Sequence, residues 1–186
     1  GAISALSGQR NNNDAKVWSY ATDTLKQPGS TAKPIFAYGP SFEYLNESTY
    51  GFYIDEKWSY TNGPSVNNWD NKFMGIVTTR YALQVSRNIP ALKAYQKVGS
   101  KKVQEFAYNL GLDVSYNTKS ENYRIIDPNT GIDNTVNEAY SIGGVAEGFS
   151  PLMMASAYSA FASGGYYTEA YCVTKIELRD TGEIIE

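Results

Sequence analysis

The order of its helical and strand-like patterns is the strongest constraint on how this 186-residue chain folds. Alternating apolar residues predict strands at residues 2–6, 171–178 and 183–185, with a turn at residues 180–182 between the last two. The predicted helices lie between these ends, at residues 75–85, 90–98, 101–110 and 152–163, and one more begins near Ser30. Strands at both ends of a helical middle favour an α+β domain whose terminal strands share a sheet.

Prolines and glycines set the limits of the predicted helices. Ser150 followed by Pro151 is typical of a helix start, with serine as the N-cap and proline in the first turn. Pro40 is expected to end or kink the helix that begins near Ser30. Glycines at positions 99, 111 and 164–165 are expected to end three further helices. The helix at residues 152–163 is mostly apolar, so we expect it to be buried on nearly all sides.

Two segments lack periodic patterns and are interpreted as loops. Residues 45–72 are rich in Tyr, Asn, Ser and Gly, and we expect a long surface excursion there. Residues 113–138 receive the same interpretation. The sequence shows no internal repeat and no domain linker, so we treat the chain as part of one domain.

Composition excludes several classes of site. The chain has no histidine, which removes every Ser-His-Asp and Cys-His arrangement and the usual zinc sites. A net charge of −3 argues against a nucleic-acid-binding surface. Cys172 is the single cysteine, so no intrachain disulfide is possible, and its apolar neighbours predict a small buried side chain. No run approaches a membrane span in length, and the absence of a starting Met makes us expect a longer parent protein.

Ser30 and Lys33 are the first candidate catalytic pair, within the sequence QPGSTAKP at residues 27–34. Residues three apart on a helix share a face. A serine hydroxyl needs a base, and without histidine a neutral lysine must supply it, a form that burial or a nearby positive charge favours. In the structural alternative, Ser30 only caps a helix and Lys33 is solvated. The flanking Pro-Gly and Pro fix the serine at a helix start, and this favours catalysis.

Ser86 and Asn88 are the second candidate pair. A second serine can relay a proton to a leaving amine, and an asparagine can hold a peptide amide. By itself the pattern fits a turn between two helices at least as well. It gains weight because it follows the Ser-Lys pair within one domain.

Ser30-x-x-Lys33 followed by Ser86-x-Asn88 resembles the first two signature motifs of penicillin-binding proteins and serine β-lactamases. The surrounding phrases resemble the transpeptidase domain of class A, bifunctional, penicillin-binding proteins, and they follow that family's order along nearly the whole chain. They are GAISALSG (residues 1–8), QPGS (27–30), NNWD and its continuation to Gly75 (67–75), RYALQVSRNIPA (80–91), PLMMASAY (151–158) and FASGG (161–165). The resemblance implies a helical cluster packed on an antiparallel sheet, incomplete in this chain.

The resemblance also implies an activity, the cross-linking of peptidoglycan stem peptides. In this family a serine attacks the peptide bond before a terminal D-alanine, releases that residue, and passes the acyl group to an amine of a second stem peptide. By resemblance Ser30 is that nucleophile and Lys33 is its base. Ser86 is then the proton relay, and Asn88 holds a substrate amide. β-Lactam antibiotics mimic the D-Ala-D-Ala end and acylate the serine, and no cofactor or metal is implied.

One signature motif of the family, Lys-Thr/Ser-Gly, is absent from the chain. The nearest pattern, Asp180-Thr181-Gly182, lacks the lysine and lies in an apparent hairpin turn. We therefore expect residues 1–186 to be the N-terminal portion of one transpeptidase domain, truncated before the third motif and inactive alone. Its expected partner is the C-terminal part that carries the missing strand. Without that part, we expect apolar helix faces at residues 152–161 to be exposed to solvent and to promote aggregation. By resemblance, the complete protein is membrane-anchored and works on the outer face of the cytoplasmic membrane.

Two other functional classes compete with transpeptidation. A serine β-lactamase shares both motifs but needs a base that activates water, and the Tyr-rich loops suit a polymeric substrate better. A non-catalytic β-lactam sensor or cell-wall-binding module would not need the intact Ser30 and Lys33. Paired carboxylates of a glycosidase are a further option, but nothing in the spacing of the acidic residues selects a pair.

Overall fold

The structure is a computed structural model that describes residues 1–10, 18–112, 136–146 and 148–185. The α-helices of these ranges are α1 (Gly39–Leu45), α2 (Thr79–Gln84), α3 (Asn88–Val98), α4 (Ser100–Asn109) and α5 (Pro151–Ala162). The strands pair antiparallel, as β1 (Phe52–Asp55) with β4 (Gly75–Thr78), β2 (Trp58–Ser59) with β3 (Ser65–Val66), and β5 (Ile176–Glu177) with β6 (Ile184–Ile185). Two 3₁₀ turns, Gly29–Ala32 and Glu138–Ile142, and a π-helical turn, Pro34–Tyr38, complete the elements. No helix within the described ranges is long and apolar enough to cross a membrane.

The segment that contains Ser30 and Lys33 runs through the middle of the hydrophobic core. Phe36, fully buried in the π-helical turn, packs edge-on against Tyr140 with ring centroids 5.4 Å apart and stacks on Phe149 at 5.8 Å. The same core cluster contains Ala32, Ile35, Tyr95, Val103, Ala107, Leu110, Leu112, Val136, Val145, Ala157 and Ala160. Close packing of this kind fixes the backbone that carries both candidate residues.

Pro40 does not end the helical segment that begins near Ser30, so that part of the sequence prediction is wrong. Pro40 lies in the first turn of α1, which continues to Leu45. The residues before it form a π-helical turn rather than α-helix, so a new helix starts at this point and the missing N–H of proline is tolerated. Asn46, with a left-handed φ of 52°, ends the helix instead.

Two predictions about residues 45–85 are partly wrong because strands pair there. The expected excursion at 45–72 contains β1, β2 and β3. The expected helix at 75–85 begins as strand β4, and α2 starts only after Thr78, whose hydroxyl accepts the N–H of Tyr81 at 3.2 Å. Burial alternates along β1, the period-two signal of a half-buried strand, which the sequence interpretation missed.

The two chain ends lie side by side but share no continuous sheet. Residues 2–6 form no strand; a single parallel bridge joins Ala2 to Tyr171. The strands predicted at 171–178 and 183–185 shorten to the β5–β6 hairpin. Cys172 is exposed, contrary to the prediction, because this stretch has no layer packed over it among the described residues.

The start of α5 and the end of α3 agree with the predictions made from capping residues, whereas the predicted burial of α5 does not. Ser150 caps α5 by accepting the N–H of Met153 at 3.2 Å, with Pro151 in the first turn. Gly99 ends α3. The expected all-round burial of α5 is wrong, because Ala157 and Ala160 alone are fully buried along it. The loop predicted at 113–138 lies outside the described residues except for its last three positions.

Candidate active site

Ser30 lies at the start of the buried segment, where the chain is still accessible. It is exposed, in the 3₁₀ turn that begins at Gly29 with a φ of 56°, and its carbonyl accepts the backbone N–H of Lys33. Thr31 fixes the turn by donating its hydroxyl to the carbonyl of Pro28 at 2.6 Å. The Ser30 hydroxyl has no hydrogen-bond partner among the described residues. An exposed hydroxyl without a partner is free to meet a substrate carbonyl.

Lys33 is fully buried, which contradicts the alternative of a solvated surface lysine. Its Nζ donates to the carbonyl of Ser86 at 2.7 Å, to the hydroxyl of Ser86 at 2.9 Å and to Oδ1 of Asn88 at 2.8 Å. The three donors of an ammonium group are thus matched by three uncharged acceptors. Both residues of the second candidate pair therefore converge on the amine of the first.

The environment of Lys33 shifts its amine toward the neutral form. Burial and, to a lesser degree, the positive charge of Arg87 lower the pKa of the Lys33 amine to about 8. With that pKa, about one amine in ten is neutral at pH 7. The residue is therefore able to accept a proton near physiological pH, as a general base requires.

Ser86 and Asn88 are presented by the turn between α2 and α3. Ser86 has a left-handed φ of 57°, and its N–H donates to the carbonyl of Leu83 at 3.0 Å. Asn88 is the first residue of α3. Its Oδ1 accepts from Lys33, and its Nδ2 donates one hydrogen to the carbonyl of Asn67 at 2.8 Å. The second amide hydrogen of Asn88 has no partner among the described residues.

Polar side chains that are wholly or mostly buried contact this turn from the protein interior. Arg87 extends into the protein and contacts Asp55 and Asp70, with Nε–Oδ2 and Nη1–Oδ2 distances of 2.8 and 3.0 Å. Asn68 donates to Asp55 Oδ1 at 2.7 Å, and its own Oδ1 accepts the backbone N–H of Asn88 at 2.7 Å. Side chains from two separate stretches, the end of β1 and the loop before β4, thereby hold one short turn.

Sequence reasoning placed the candidate residues but missed some of their neighbours. Tyr158 of α5 donates its hydroxyl to the carbonyl of Thr31 at 2.7 Å, which ties this helix to the turn of Ser30. Asp55 was also missed, since it lay in the stretch interpreted as loop. The sequence pattern Asp180-Thr181-Gly182 lies in the turn of the β5–β6 hairpin as predicted. Among the described residues, no group of three or more His, Cys, Asp or Glu side chains forms a candidate metal site.

The sequence matches known proteins along nearly its whole length. A profile of the penicillin binding protein transpeptidase domain matches residues 1–183. The chain is 43% identical over 182 residues to penicillin-binding protein 1A/1B of Bacillus subtilis, covering 97% of this chain and 18% of that protein. It is 36% identical over 166 residues to penicillin-binding protein 1A of Streptococcus pneumoniae, covering 88% of this chain and 21% of that protein. The chain thus spans about a fifth of the length of these curated relatives.

Solved structures share the fold. The crystal structure of penicillin-binding protein 1A from Haemophilus influenzae matches with a TM-score of 0.68 at 26% identity, over 91% of this chain and 23% of that one. The penicillin-binding protein PonA1 from Mycobacterium tuberculosis matches with a TM-score of 0.70 at 19% identity, over 93% of this chain and 42% of that one. Helices with small antiparallel sheets therefore form part of the α+β fold that these proteins have, and the predicted fold class is confirmed.

Proposed function

This chain belongs to the family of penicillin-binding protein transpeptidase domains, and from that membership we infer that it carries the acylating half of a D,D-transpeptidase site. One observation carries the assignment of residues: the buried amine of Lys33 binds both Ser86 and Asn88, one turn of chain from an exposed Ser30. No such convergence is needed if Ser30 only caps a helix.

The proposed reaction begins with proton transfer from the Ser30 hydroxyl to neutral Lys33. The Ser30 oxygen attacks the carbonyl carbon before the terminal D-alanine of a stem peptide, and a tetrahedral intermediate forms. Its collapse breaks the peptide bond, and the proton passes from Lys33 through the Ser86 hydroxyl to the leaving amine. D-Alanine departs, and an amine of a second stem peptide then attacks the carbonyl carbon of the acyl-enzyme. The amine gives up a proton, which passes by way of Lys33 to the Ser30 oxygen as the ester bond breaks, so the cross-link forms and the Ser30 hydroxyl is restored.

Asn88 has the substrate-binding role in this scheme. Its side-chain oxygen and one amide hydrogen are engaged by Lys33 and by the carbonyl of Asn67. The remaining amide hydrogen is suited to a carbonyl of the stem peptide, and the fixed amide plane gives it a defined direction. A β-lactam presents an equivalent carbonyl beside its strained ring amide, so Ser30 is expected to open that ring and to stay acylated.

We propose that the complete domain includes more chain than these residues. We propose that residues 1–186 are the N-terminal portion of one transpeptidase domain and that a Lys-Thr-Gly strand from the remainder supplies the opposite wall of the cleft. We place the complete protein, membrane-anchored, at the outer face of the cytoplasmic membrane. The coverage of about a fifth of each relative supports a longer parent protein.

Release of D-alanine tests this function directly. The full-length protein is incubated with a stem pentapeptide ending in D-Ala-D-Ala and with an amine acceptor, and free D-alanine and cross-linked product are quantified. Both are expected from the wild type and neither from Ser30→Ala. D-Alanine release that persists in Ser30→Ala would contradict the assignment.

The two alternative functions give different results with penicillin. A serine β-lactamase turns penicillin over many times, whereas the proposed transpeptidase is expected to stop after one equivalent. A cell-wall-binding module binds peptidoglycan equally well after Ser30→Ala and forms no adduct. The burial of Lys33 and the lowered pKa of its amine favour an acylating enzyme over such a module.

A further inference from the structure

We propose that Arg87 is a positioning residue for the acylation step: its buried guanidinium anchors the turn that presents Ser86 and Asn88 to Lys33. Arg87 touches no reacting atom and is the middle, unassigned residue of the Ser-x-Asn pattern. This inference rests on the proposed function, because it concerns how the base and proton relay of that reaction are held.

The guanidinium of Arg87 is anchored at three points. Its side chain is 0% exposed, as is that of Asp55, and the two are joined at 2.8 Å through Nε. Nη1 reaches Asp70, whose side chain is 18% exposed, at 3.0 Å. Nη2 donates to the backbone carbonyl of Lys72. The anchors come from the end of β1 and from the loop before β4, so the turn is fixed to two stretches distant in sequence.

The planar geometry of arginine is required for this arrangement. A guanidinium directs its N–H donors in a rigid fork, which can bind separate acceptors lying in one plane. A lysine carries three donors on a single atom and cannot reach three acceptors that surround a fork. Asn68 completes the support, since it links Asp55 to the backbone N–H of Asn88.

The turn itself has a conformation that needs such support. Ser86 adopts a φ of 57°, in the left-handed region that non-glycine residues rarely occupy. Residues held there persist where surrounding contacts over-determine them, and they cluster at functional sites. Here the conformation directs both the carbonyl and the hydroxyl of Ser86 to Lys33 Nζ, at 2.7 and 2.9 Å. Weakening the anchors of Arg87 is therefore expected to break the two hydrogen bonds between Ser86 and Lys33 Nζ.

Arg87 also pairs with the two carboxylates that lie near the turn. Asp55 from β1 and Asp70 from the adjoining loop are the carboxylates behind the turn, and both are paired with the guanidinium. Lys33 has no carboxylate within ion-pair distance among the described residues. The positive charge of Arg87 itself disfavours protonation of Lys33. Arg87 thus positions the turn and also neutralises the two carboxylates that would otherwise favour the protonated form of Lys33.

Acylation by a fluorescent penicillin tests the inference in the full-length protein. Arg87→Lys keeps the charge and loses the fork, and we expect its second-order acylation rate constant to fall by about 100-fold, the scale of a misplaced catalytic group. The matched control is Arg80→Lys on α2, where an exposed arginine contacts Thr49 at 2.8 Å, and its rate is expected to match the wild type. The positive charge kept in Arg87→Lys still opposes protonation of Lys33. The acylation rate should therefore drop at every pH, and the pH at which the rate begins to fall on the acidic side should stay the same.

A double variant separates positioning from stability. Asp55→Asn with Arg87→Gln removes both buried charges together, which proteins tolerate better than the loss of one partner. If Arg87→Lys fails to fold, this variant takes its place. We expect a melting temperature near the wild type with slow acylation. Acylation at the wild-type rate in either folded variant would overturn the inference. If the wild type itself is not labelled at Ser30, the proposed function fails instead, so the two failures are distinguishable.

Discussion

At the scale of single residues, the chemistry depends on which cation pairs with the acidic groups. Asp55 and Asp70 both pair with Arg87, and Lys33 receives only uncharged acceptors. A buried lysine without a carboxylate partner loses its proton more readily than one in an ion pair. The site therefore contains two cationic side chains, and both neighbouring carboxylates pair with Arg87 rather than with Lys33, the proposed base.

The pH dependence of acylation follows from the lowered pKa of Lys33. The neutral amine is the active form, so the rate rises as pH rises through the pKa, with an inflection at about 8. Well below that pH the rate should fall about tenfold for each pH unit. The second-order rate constant for a penicillin, measured between pH 6 and pH 9 on the full-length protein, checks this. A rate independent of pH across that range would show that Lys33 is not the base.

The candidate residues could be predicted from the sequence, but their environment could not. Ser30 and Lys33 are three residues apart between prolines, a local pattern that can be recognised directly. The anchoring of Arg87 depends on Asp55 and Asp70, which are 32 and 17 residues from Arg87 in sequence. Contacts of that range arise from the fold, and no local pattern contains them.

At the scale of elements, the turn of Ser30 is held from two sides. Tyr158 of α5 binds its backbone at Thr31. Gly143, which follows the 3₁₀ turn Glu138–Ile142, packs against Gly29 so closely that a Cβ on Gly143 would lie 2.1 Å from the Gly29 carbonyl oxygen. The backbone next to the nucleophile thus has no room to move toward Gly143.

Gly143→Ala is expected to disturb the 3₁₀ turn that contains Ser30. Steric overlap of this kind destabilises a protein by about 1–3 kcal/mol, and here the displaced backbone precedes Ser30. We expect a lower melting temperature and slower penicillin acylation in the full-length protein. The matched control is Gly99→Ala, where φ is 87°, close to the 94° of Gly143, but no atom lies within 4 Å of the new Cβ. Equal effects of the two substitutions would mean that the contact with Gly29 is unimportant.

Elements were predicted well where their signal is local. Ser150 and Pro151 identify the start of α5, because a cap and a first-turn proline act within a few residues. Strands β1 and β4 were missed, because each is four residues long and pairing joins Phe52 to Thr78. A strand of that length is specified by its partner as much as by its own sequence.

At the scale of the whole molecule, the described residues leave apolar surface uncovered. A groove of about 600 Å³ lies between residues 1–7 and helix α5. Leu6 is 50% exposed and Phe161 is 48% exposed. Apolar surface of this kind favours association with further chain or aggregation. The order of family phrases along the sequence predicted the fold class, but burial of α5 was overestimated, because an apolar composition does not determine which faces of a helix are covered.

Residues 1–186 alone are expected to form no penicillin adduct. The sequence contains no Lys-Thr/Ser-Gly motif. If a strand with that motif forms the opposite wall of the site, as proposed, residues 1–186 alone offer no defined place for the β-lactam carboxylate. Labelling by a fluorescent penicillin is compared between the isolated chain and the full-length protein, with folding checked by circular dichroism. Labelling of the folded isolated chain at the full-length rate would show that the missing strand is dispensable.

The most direct test of the account is the intact mass of the full-length protein after reaction with a penicillin. Opening of the β-lactam ring by a serine expels no leaving group, so the account predicts a gain equal to the mass of one whole penicillin. Proteolytic mapping should place that gain on the peptide containing Ser30, and Ser30→Ala should show no gain. An adduct on another residue, or one that persists in folded Ser30→Ala, would contradict the assignment of the nucleophile.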